Sequence, residues 1–297
     1  MNLAERLQQY AIVEQNVPFS NMTTFRIGGV VDYVIYPNDV LALQEVLDVI
    51  RKEGMPVKLI GKGSNILCSD QPFHGAVIRL DRTLANHYYQ DNEVLAQAGC
   101  SIIALSYDAM KRGLSGLECA SGMPSTVGGC TYMNAGAYKS CMADIIKEVY
   151  VYRDGQLCWM KPEECAFAYR TSVFQEHKDW VIVAVRIGLQ PKDSEEIRTL
   201  MENRKERRMA SQPLEYPSAG SVFRNPENAF AWKYIDELGL RGKTVGGAQI
   251  SSKHSNFIVN VNHAKADDVL ALMEEIDQKM EERHGFRMIK EVELFNW

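Results

Sequence analysis

The sequence predicts a two-domain α+β protein, and three observations carry that reading. The chain is 297 residues long, past the ~250 to 300 residues at which one hydrophobic core stops growing. Residues 33 to 100 alternate short apolar runs with helical periodicity, the pattern of strands interleaved with helices. Composition then shifts at Gln190-Pro191-Lys192-Asp193, where a β-rich stretch gives way to a charged helical one. These observations place an N-terminal segment at 1–18, a larger domain at 19–191 and a smaller α/β domain at 192–297.

Taken in order, Tyr33 to Tyr36 reads as a strand. Val40, Leu43, Leu47 and Ile50 then share one helical face that Gly54 closes. Val57 to Ile60 is a buried strand with the tight loop Gly61-Lys62-Gly63-Ser64-Asn65 at its carboxyl end. Ala76 to Leu80 and Val94 to Ala98 are further strands, and a helix runs from Ser101 to the stop at Gly113. Glu148 to Met160 is a hairpin, because Arg153-Asp154-Gly155 supplies turn residues between two β-rich runs. Val181 to Leu189 is another strand. Asp193 caps the charged helix, with Glu196 three residues on as in a capping box. A Pro/Ser/Gly loop (212–226), a helix ended by Gly239 and a strand near Phe257 to Val261 follow. A helix with Val269, Leu272, Ile276 and Met280 on one face and a final strand complete the chain.

Composition removes several function classes. A net charge of −5 gives no overall field for a polyanion, which argues against nucleic acid. No apolar run reaches the ~18 residues of a membrane span, and Met1 to Ala11 is charged instead of forming an apolar signal core. The seven cysteines lack zinc spacing and read as buried, reduced thiols of a cytoplasmic protein. Arg204, Lys205, Arg207 and Arg208, interrupted by Glu206, read as a solvated helix face.

Two glycine-rich segments are the candidates for binding. In Gly61 to Asn65, backbone N–H groups can close on phosphate oxygens while Ser64 and Asn65 add donors. This is not a Walker loop, because Lys62 is followed by Gly63 instead of Ser or Thr, nor a dinucleotide fingerprint, since Ile66 stands where the third glycine belongs. A plain glycine turn is the competing reading. Gly113 to Tyr138 holds six glycines and one charged residue, Glu118. Residues so small permit close backbone approach to a planar or diphosphate-bearing ligand, with Ser125, Thr126 and Asn134 for its polar edges. A packed crossover would look similar. Arg170, Ser221 and Glu291 stand out as polar positions in apolar or glycine-rich surroundings, and His254 and Asn256 are candidates for substrate contact.

At these motifs the chain resembles the UDP-N-acetylenolpyruvoylglucosamine reductases (UDP-N-acetylmuramate dehydrogenases), in register from Asn21 to Glu291. The resemblance rests on Thr24-Phe25-Arg26-Ile27-Gly28-Gly29, Gly61 to Asn65, Gly122-Met123-Pro124-Ser125-Thr126-Val127-Gly128-Gly129, Asn134-Ala135-Gly136-Ala137-Tyr138 and Tyr169-Arg170. Gly220-Ser221-Val222-Phe223-Arg224-Asn225-Pro226, Gly246-Gly247-Ala248 and Glu291-Val292 complete it. Four positions depart from the family pattern: Lys62, Cys130, Arg224 and Lys290. The last makes Glu293 an alternative to Glu291.

The resemblance implies an FAD-binding domain of the vanillyl-alcohol-oxidase (PCMH) type with a smaller substrate domain. Noncovalent FAD would be held by Gly61, Gly63, Ser64, Asn65, Ile66, Gly122, Ser125, Thr126, Gly128, Gly129, Asn134, Gly136 and Ala137. NADPH would supply the electrons and UDP-N-acetylglucosamine enolpyruvate would be the substrate, in a step of peptidoglycan synthesis that needs no obligate protein partner. On this carry-over Ser221 is the proton donor, Arg170 and Glu291 polarise the substrate, and Tyr169, Arg224, Asn225 and His254 contact it. An oxidase or dehydrogenase of small alcohols or hydroxy acids would share the glycine loops, and a sensor without catalysis is expected to lack one of Arg170, Ser221 or Glu291.

Overall fold

A computed structural model describes all 297 residues, and the chain divides into two compact units, neither continuous in sequence. The larger comprises Met1–Gln15, Tyr33–Lys62 and His74–Glu206. The smaller comprises Asn16–Asp32, Gly63–Phe73 and Arg207–Trp297.

After helix α1 (Leu3–Leu7), strands β1 (Ala11–Pro18), β2 (Val30–Pro37), β3 (Val57–Leu59) and β4 (Phe73–Ile78) form a sheet ordered β1-β2-β4-β3. Helix α2 (Val40–Lys52) links β2 to β3. It starts where the Asp39 side chain accepts the Ala42 N–H at 2.8 Å, and it buries Leu43, Val46 and Ile50. A second, antiparallel sheet holds β5 (His87–Gln90), β6 (Glu93–Gln97), β7 (Ile146–Arg153), β8 (Gln156–Met160) and β9 (Val181–Gly188), ordered β8-β7-β9-β6-β5. The β7–β8 turn puts Asp154 and Gly155 at positive φ, as its sequence predicts. Helix α3 (Ile102–Lys111) is capped by Ser101, and the short α4 (Val127–Tyr132) by Thr126. Around both sheets runs one core that includes Ile35, Leu43, Val94, Ile102, Val149 and Val185. Helix α5 (Ser194–Ser211) begins where the Asp193 carboxylate accepts the Glu195 and Glu196 N–H groups at 3.0 Å, while the Glu196 carboxylate pairs with Lys192 at 3.4 Å.

The smaller unit packs α6 (Ala231–Glu237) and α7 (Ala266–His284) with a three-stranded antiparallel sheet of Thr244–Val245, Ala248–Ile250 and Ile258–Asn260. Val269, Leu272, Ile276 and Met280 on α7 are buried together, the face their spacing predicts. Ile66–Cys68 pairs in parallel with Glu293–Phe295.

Five cysteines are buried, whereas Cys141 and Cys158 are half-buried, Cys158 because it lies on the edge strand β8. Burial pushes the Cys100 thiol up to about 11 and those of Cys130 and Cys165 up to about 12, so all three stay protonated near neutrality. Arg204 departs from the expected solvated face. Its guanidinium lies 4.6 Å from the Tyr138 ring, and its carbonyl accepts the Tyr138 hydroxyl at 3.2 Å. No helix is long and apolar enough to cross a membrane.

Candidate active site

Glycine at position 61 is a packing requirement. A Cβ there would stand 2.8 Å from the Thr126 Oγ1, so this turn and the cap of α4 lie in direct contact. Gly63 is at φ +62 and buried, and a Cβ on it would overlap the Met22 carbonyl. The amide N–H groups of Gly61, Lys62, Gly63 and Ser64 donate to no backbone carbonyl. That donor set is suited to an anion. Asn65 instead works inside the smaller unit, its Nδ2 donating to the Glu291 carbonyl at 3.0 Å and its own carbonyl accepting the Glu293 N–H at 3.0 Å. Ile66 is buried and paired with Glu293.

The segment after α3 is built differently from that loop. Here the Val127 N–H donates to Cys100, the Gly128 N–H to Ala98 and the Gly129 N–H to the Thr126 hydroxyl, at 2.8 to 3.1 Å. The first turn of α4 therefore spends its donors internally, and what the segment offers a ligand is closeness. A Cβ on Gly128 would sit 2.8 Å from that of Ala98, and one on Gly129 2.9 Å from the Ser125 Oγ. Gly122 is half-buried in the loop before it. A large planar ligand can approach such a surface where ordinary side chains would hold it off.

Two tight hairpins follow. In the first, Ala137 pairs with Ser140 and Gly136 with Cys141, and Tyr138 and Lys139 take positive φ in the turn. A Cβ on Gly136 would overlap the Ser140 carbonyl. In the second, Ala168 and Thr171 exchange backbone hydrogen bonds at 3.1 Å, and Arg170 is held at φ +56. A non-glycine residue in that region carries strain of about 1 to 3 kcal/mol. The surrounding bonds fix it there: Arg170 Nη2 donates to the Gly136 carbonyl at 2.7 Å, and Gln175 Nε2 donates to the Arg170 carbonyl at 3.0 Å. Asn134 ties the same region together. Its Nδ2 donates to the Ala168 carbonyl and its Oδ1 accepts the Ala143 N–H, both at 2.9 Å. Tyr169, about half exposed, has the Arg170 guanidinium 5.1 Å from its ring.

In the smaller unit, Ser221 and Glu291 are brought together by backbone pairing. Ser221 bridges to Phe257, the Glu291 N–H donates to the Val222 carbonyl at 2.8 Å, and Phe223 pairs with Lys290. The final strand begins at Glu293, so Glu291 belongs to the preceding stretch that runs beside Ser221 to Arg224. Gly220, at φ +79 with open space where a Cβ would be, turns the chain into this segment. Sequence reasoning missed what anchors it. The side chain of Asn256, 3% exposed, accepts the Phe223 N–H at 3.0 Å and donates to the Phe223 carbonyl at 2.8 Å, replacing a missing strand partner. Asn256 is thus a support for the Ser221 segment. An amide at the head of the apolar run Phe257 to Val259 is the only hint the sequence held.

Other candidates have identifiable surroundings. Arg224 donates its N–H to the Ile289 carbonyl at 2.8 Å, and Asn225 caps α6 by accepting the Ala231 N–H at 3.0 Å. His254 stacks edge-on against Phe257 at 4.9 Å, directly behind the residue that pairs with Ser221. Burial, then the nearby Arg241, lowers its pKa and favours the neutral ring.

Known proteins match this chain along most of its length. Residues 31–161 match a family model described as an FAD binding domain, and residues 212–295 match one described as UDP-N-acetylenolpyruvoylglucosamine reductase, C-terminal domain. The UDP-N-acetylenolpyruvoylglucosamine reductase of Anoxybacillus flavithermus is 40% identical over 295 residues, covering 98% of each chain. That of Bacillus subtilis is 39% identical over 280 residues, 94% of this chain and 92% of the other. Among solved structures, UDP-N-acetylenolpyruvylglucosamine reductase from Thermus caldophilus superposes with a TM-score of 0.83 at 34% identity, covering 97% of this chain and all of that one.

Proposed function

Because the chain belongs to the UDP-N-acetylenolpyruvoylglucosamine reductase family, a family of flavoprotein oxidoreductases of peptidoglycan synthesis, we propose that it uses NADPH to reduce the enolpyruvyl group of UDP-N-acetylglucosamine enolpyruvate, yielding UDP-N-acetylmuramate. The observation that carries this reading is the match of residues 31–161 to an FAD binding domain together with that of residues 212–295 to the C-terminal domain of this reductase family.

The residues fit a flavin dinucleotide on two structural grounds. Uncommitted amide donors at Gly61 to Ser64 suit its diphosphate, and glycines at 61, 128 and 136 leave no room for side chains. Gly63, Gly122, Ser125, Thr126, Gly129 and Ala137 would line the same approach, Asn65 and Ile66 would hold the loop, and Asn134 would fix the hairpins around it. FAD, when bound noncovalently there, would supply the hydride. Reduction adds that hydride to the terminal carbon of the enolpyruvyl group and leaves negative charge spread over the adjacent carbon and the carboxylate. Ser221 would deliver the proton to the adjacent carbon. A serine hydroxyl is a feeble acid, but an enolate is basic enough to take its proton when held against it. Arg170 would meet the carboxylate through parallel N–H bonds and hold the charge that accumulates on it. Its strained backbone, bonded at the carbonyl by Gln175, and the Nη2 bond to the Gly136 carbonyl fix where that fork is presented. Glu291, tied by its N–H to the Ser221 segment, would complete the polarisation, with Tyr169, Arg224, Asn225 and His254 contacting the remaining substrate.

The visible spectrum of the purified protein tests the flavin, and anaerobic stopped-flow absorbance tests the chemistry. NADPH is expected to bleach the flavin and UDP-N-acetylglucosamine enolpyruvate to restore its colour without oxygen. Bleaching by lactate or a simple alcohol instead would move the protein to the oxidase class.

A further inference from the structure

Lys62 lies within the glycine loop whose N–H groups donate to no carbonyl, and its ammonium sits 2.8 Å from the Asp81 Oδ2. The same carboxylate already takes two bonds from Arg79, Nε at 3.2 Å and Nη2 at 2.8 Å. Two cations thus share one anion. The Asp81 side chain is 8% exposed and that of Arg79 11%, whereas that of Lys62 is 40% exposed. Burial alone would raise the Asp81 pKa, but hydrogen bonds from Lys62 and Arg79 outweigh it and hold the carboxyl below its usual range. The neighbouring Arg82 adds no surplus, because its guanidinium is paired with Glu14 at 2.6 Å. A fixed excess of one positive charge remains at the loop, and its solvent-facing member is Lys62.

We propose that Lys62, positioned by the Arg79-bound Asp81, forms a cationic subsite for the diphosphate of the flavin dinucleotide. It adds a charge to the neutral amide donors around it. The inference rests on the flavin reading of this loop. Amide groups alone bind a phosphate by dipoles, whereas a held ammonium makes binding depend on ionic strength. Arg79 bridges the Asp81 carboxylate with two bonds, so Lys62 is left as a second counter-ion that an incoming anion can share.

Apoprotein, prepared by removing the flavin, is titrated with FAD by flavin fluorescence between low and high potassium chloride. Lys62→Met is expected to raise the Kd about tenfold at low salt, the scale of one charge-assisted hydrogen bond. It should also flatten the salt dependence. Lys62→Glu should bind more weakly still, and Lys62→Arg should stay near the parent, since charge and not packing is what counts. Equal Kd for parent and Lys62→Met across the salt range would overturn the inference, as would an arginine variant that loses as much as methionine. A parent apoprotein that takes up no FAD would remove the flavin reading itself. Melting of the apoproteins checks that each variant is folded, Lys62→Glu above all because it sets a second carboxylate beside the buried Asp81.

Discussion

At the scale of single residues, the assignments divide by the moment at which each side chain acts. Ser221 is proposed to act only after hydride has reached the substrate, so its loss should separate the two half-reactions. In Ser221→Ala, reduction of the flavin by NADPH is expected at close to the parent rate. Reoxidation by the enolpyruvyl substrate should slow roughly 10²-fold, about 3 kcal/mol of barrier, the usual contribution of a positioned general acid. Ser221→Cys should retain more activity than alanine, because a thiol can still give up a proton. Titration of the oxidised flavin spectrum with substrate controls for binding. Equal slowing of both half-reactions would make Ser221 a structural turn residue. Arg170 differs in kind, since its backbone strain and its bond to Gly136 were invisible in the sequence, where only its polar isolation marked it.

At the scale of elements, the Ser221 segment depends on one side chain acting as a strand. Asn256 satisfies both backbone groups of Phe223, and Asn256→Ala would leave a buried N–H and a buried carbonyl unpaired. The expected loss is roughly 2 to 6 kcal/mol, about 1 to 3 for each buried group, read as a lower urea midpoint. Flavin reoxidation should slow while its reduction by NADPH is spared. A variant with parent stability would mean that water replaces the amide. Most elements were legible from periodicity and caps: α2, α3 and α7, the β7–β8 hairpin and β9 lie within a few residues of their expected places. The strands that escaped include β1, β5, Ile66–Cys68, Thr244–Val245 and Ala248–Ile250. β5 is paired only with β6 through a turn at Asp91 and Asn92. Its His87-Tyr88-Tyr89-Gln90 run is mostly exposed at the sheet edge, so it shows no apolar alternation to read. Ile66–Cys68 is too short to show a period, and its partner lies more than 200 residues away. The glycine loops were legible as small-residue runs, but which donors they keep free was not. That depends on Ala98 and Cys100 reaching the first turn of α4, a tertiary fact.

At the scale of the whole molecule, the chain builds two cores, one around Leu43, Val94 and Val185 and the other around Phe223, Ile258 and Leu272. Segments 16–32 and 63–73 belong to the smaller unit although they interrupt the larger one in sequence. Flavin binding therefore makes a thermodynamic prediction that reports on cooperativity as well as on the cofactor. A ligand that binds only the folded state stabilises it by about 2.7 kcal/mol at a free concentration one hundred times its Kd. Unfolding entropy is about 2.1 cal/mol/K per residue near 60 °C, so that stabilisation raises Tm by about 4 °C if the entire chain melts together. If the larger unit melts by itself, the smaller entropy change makes the same binding energy worth about 7 °C. Differential scanning calorimetry of apoprotein with increasing FAD is the measurement, read both for the shift and for the number of transitions. A shift near the lower value with one transition marks a single cooperative molecule, while a larger shift confined to one of two transitions marks independent units. Melting that ignores FAD at saturating concentration would contradict the flavin assignment directly, because no folded-state ligand can bind without raising the midpoint.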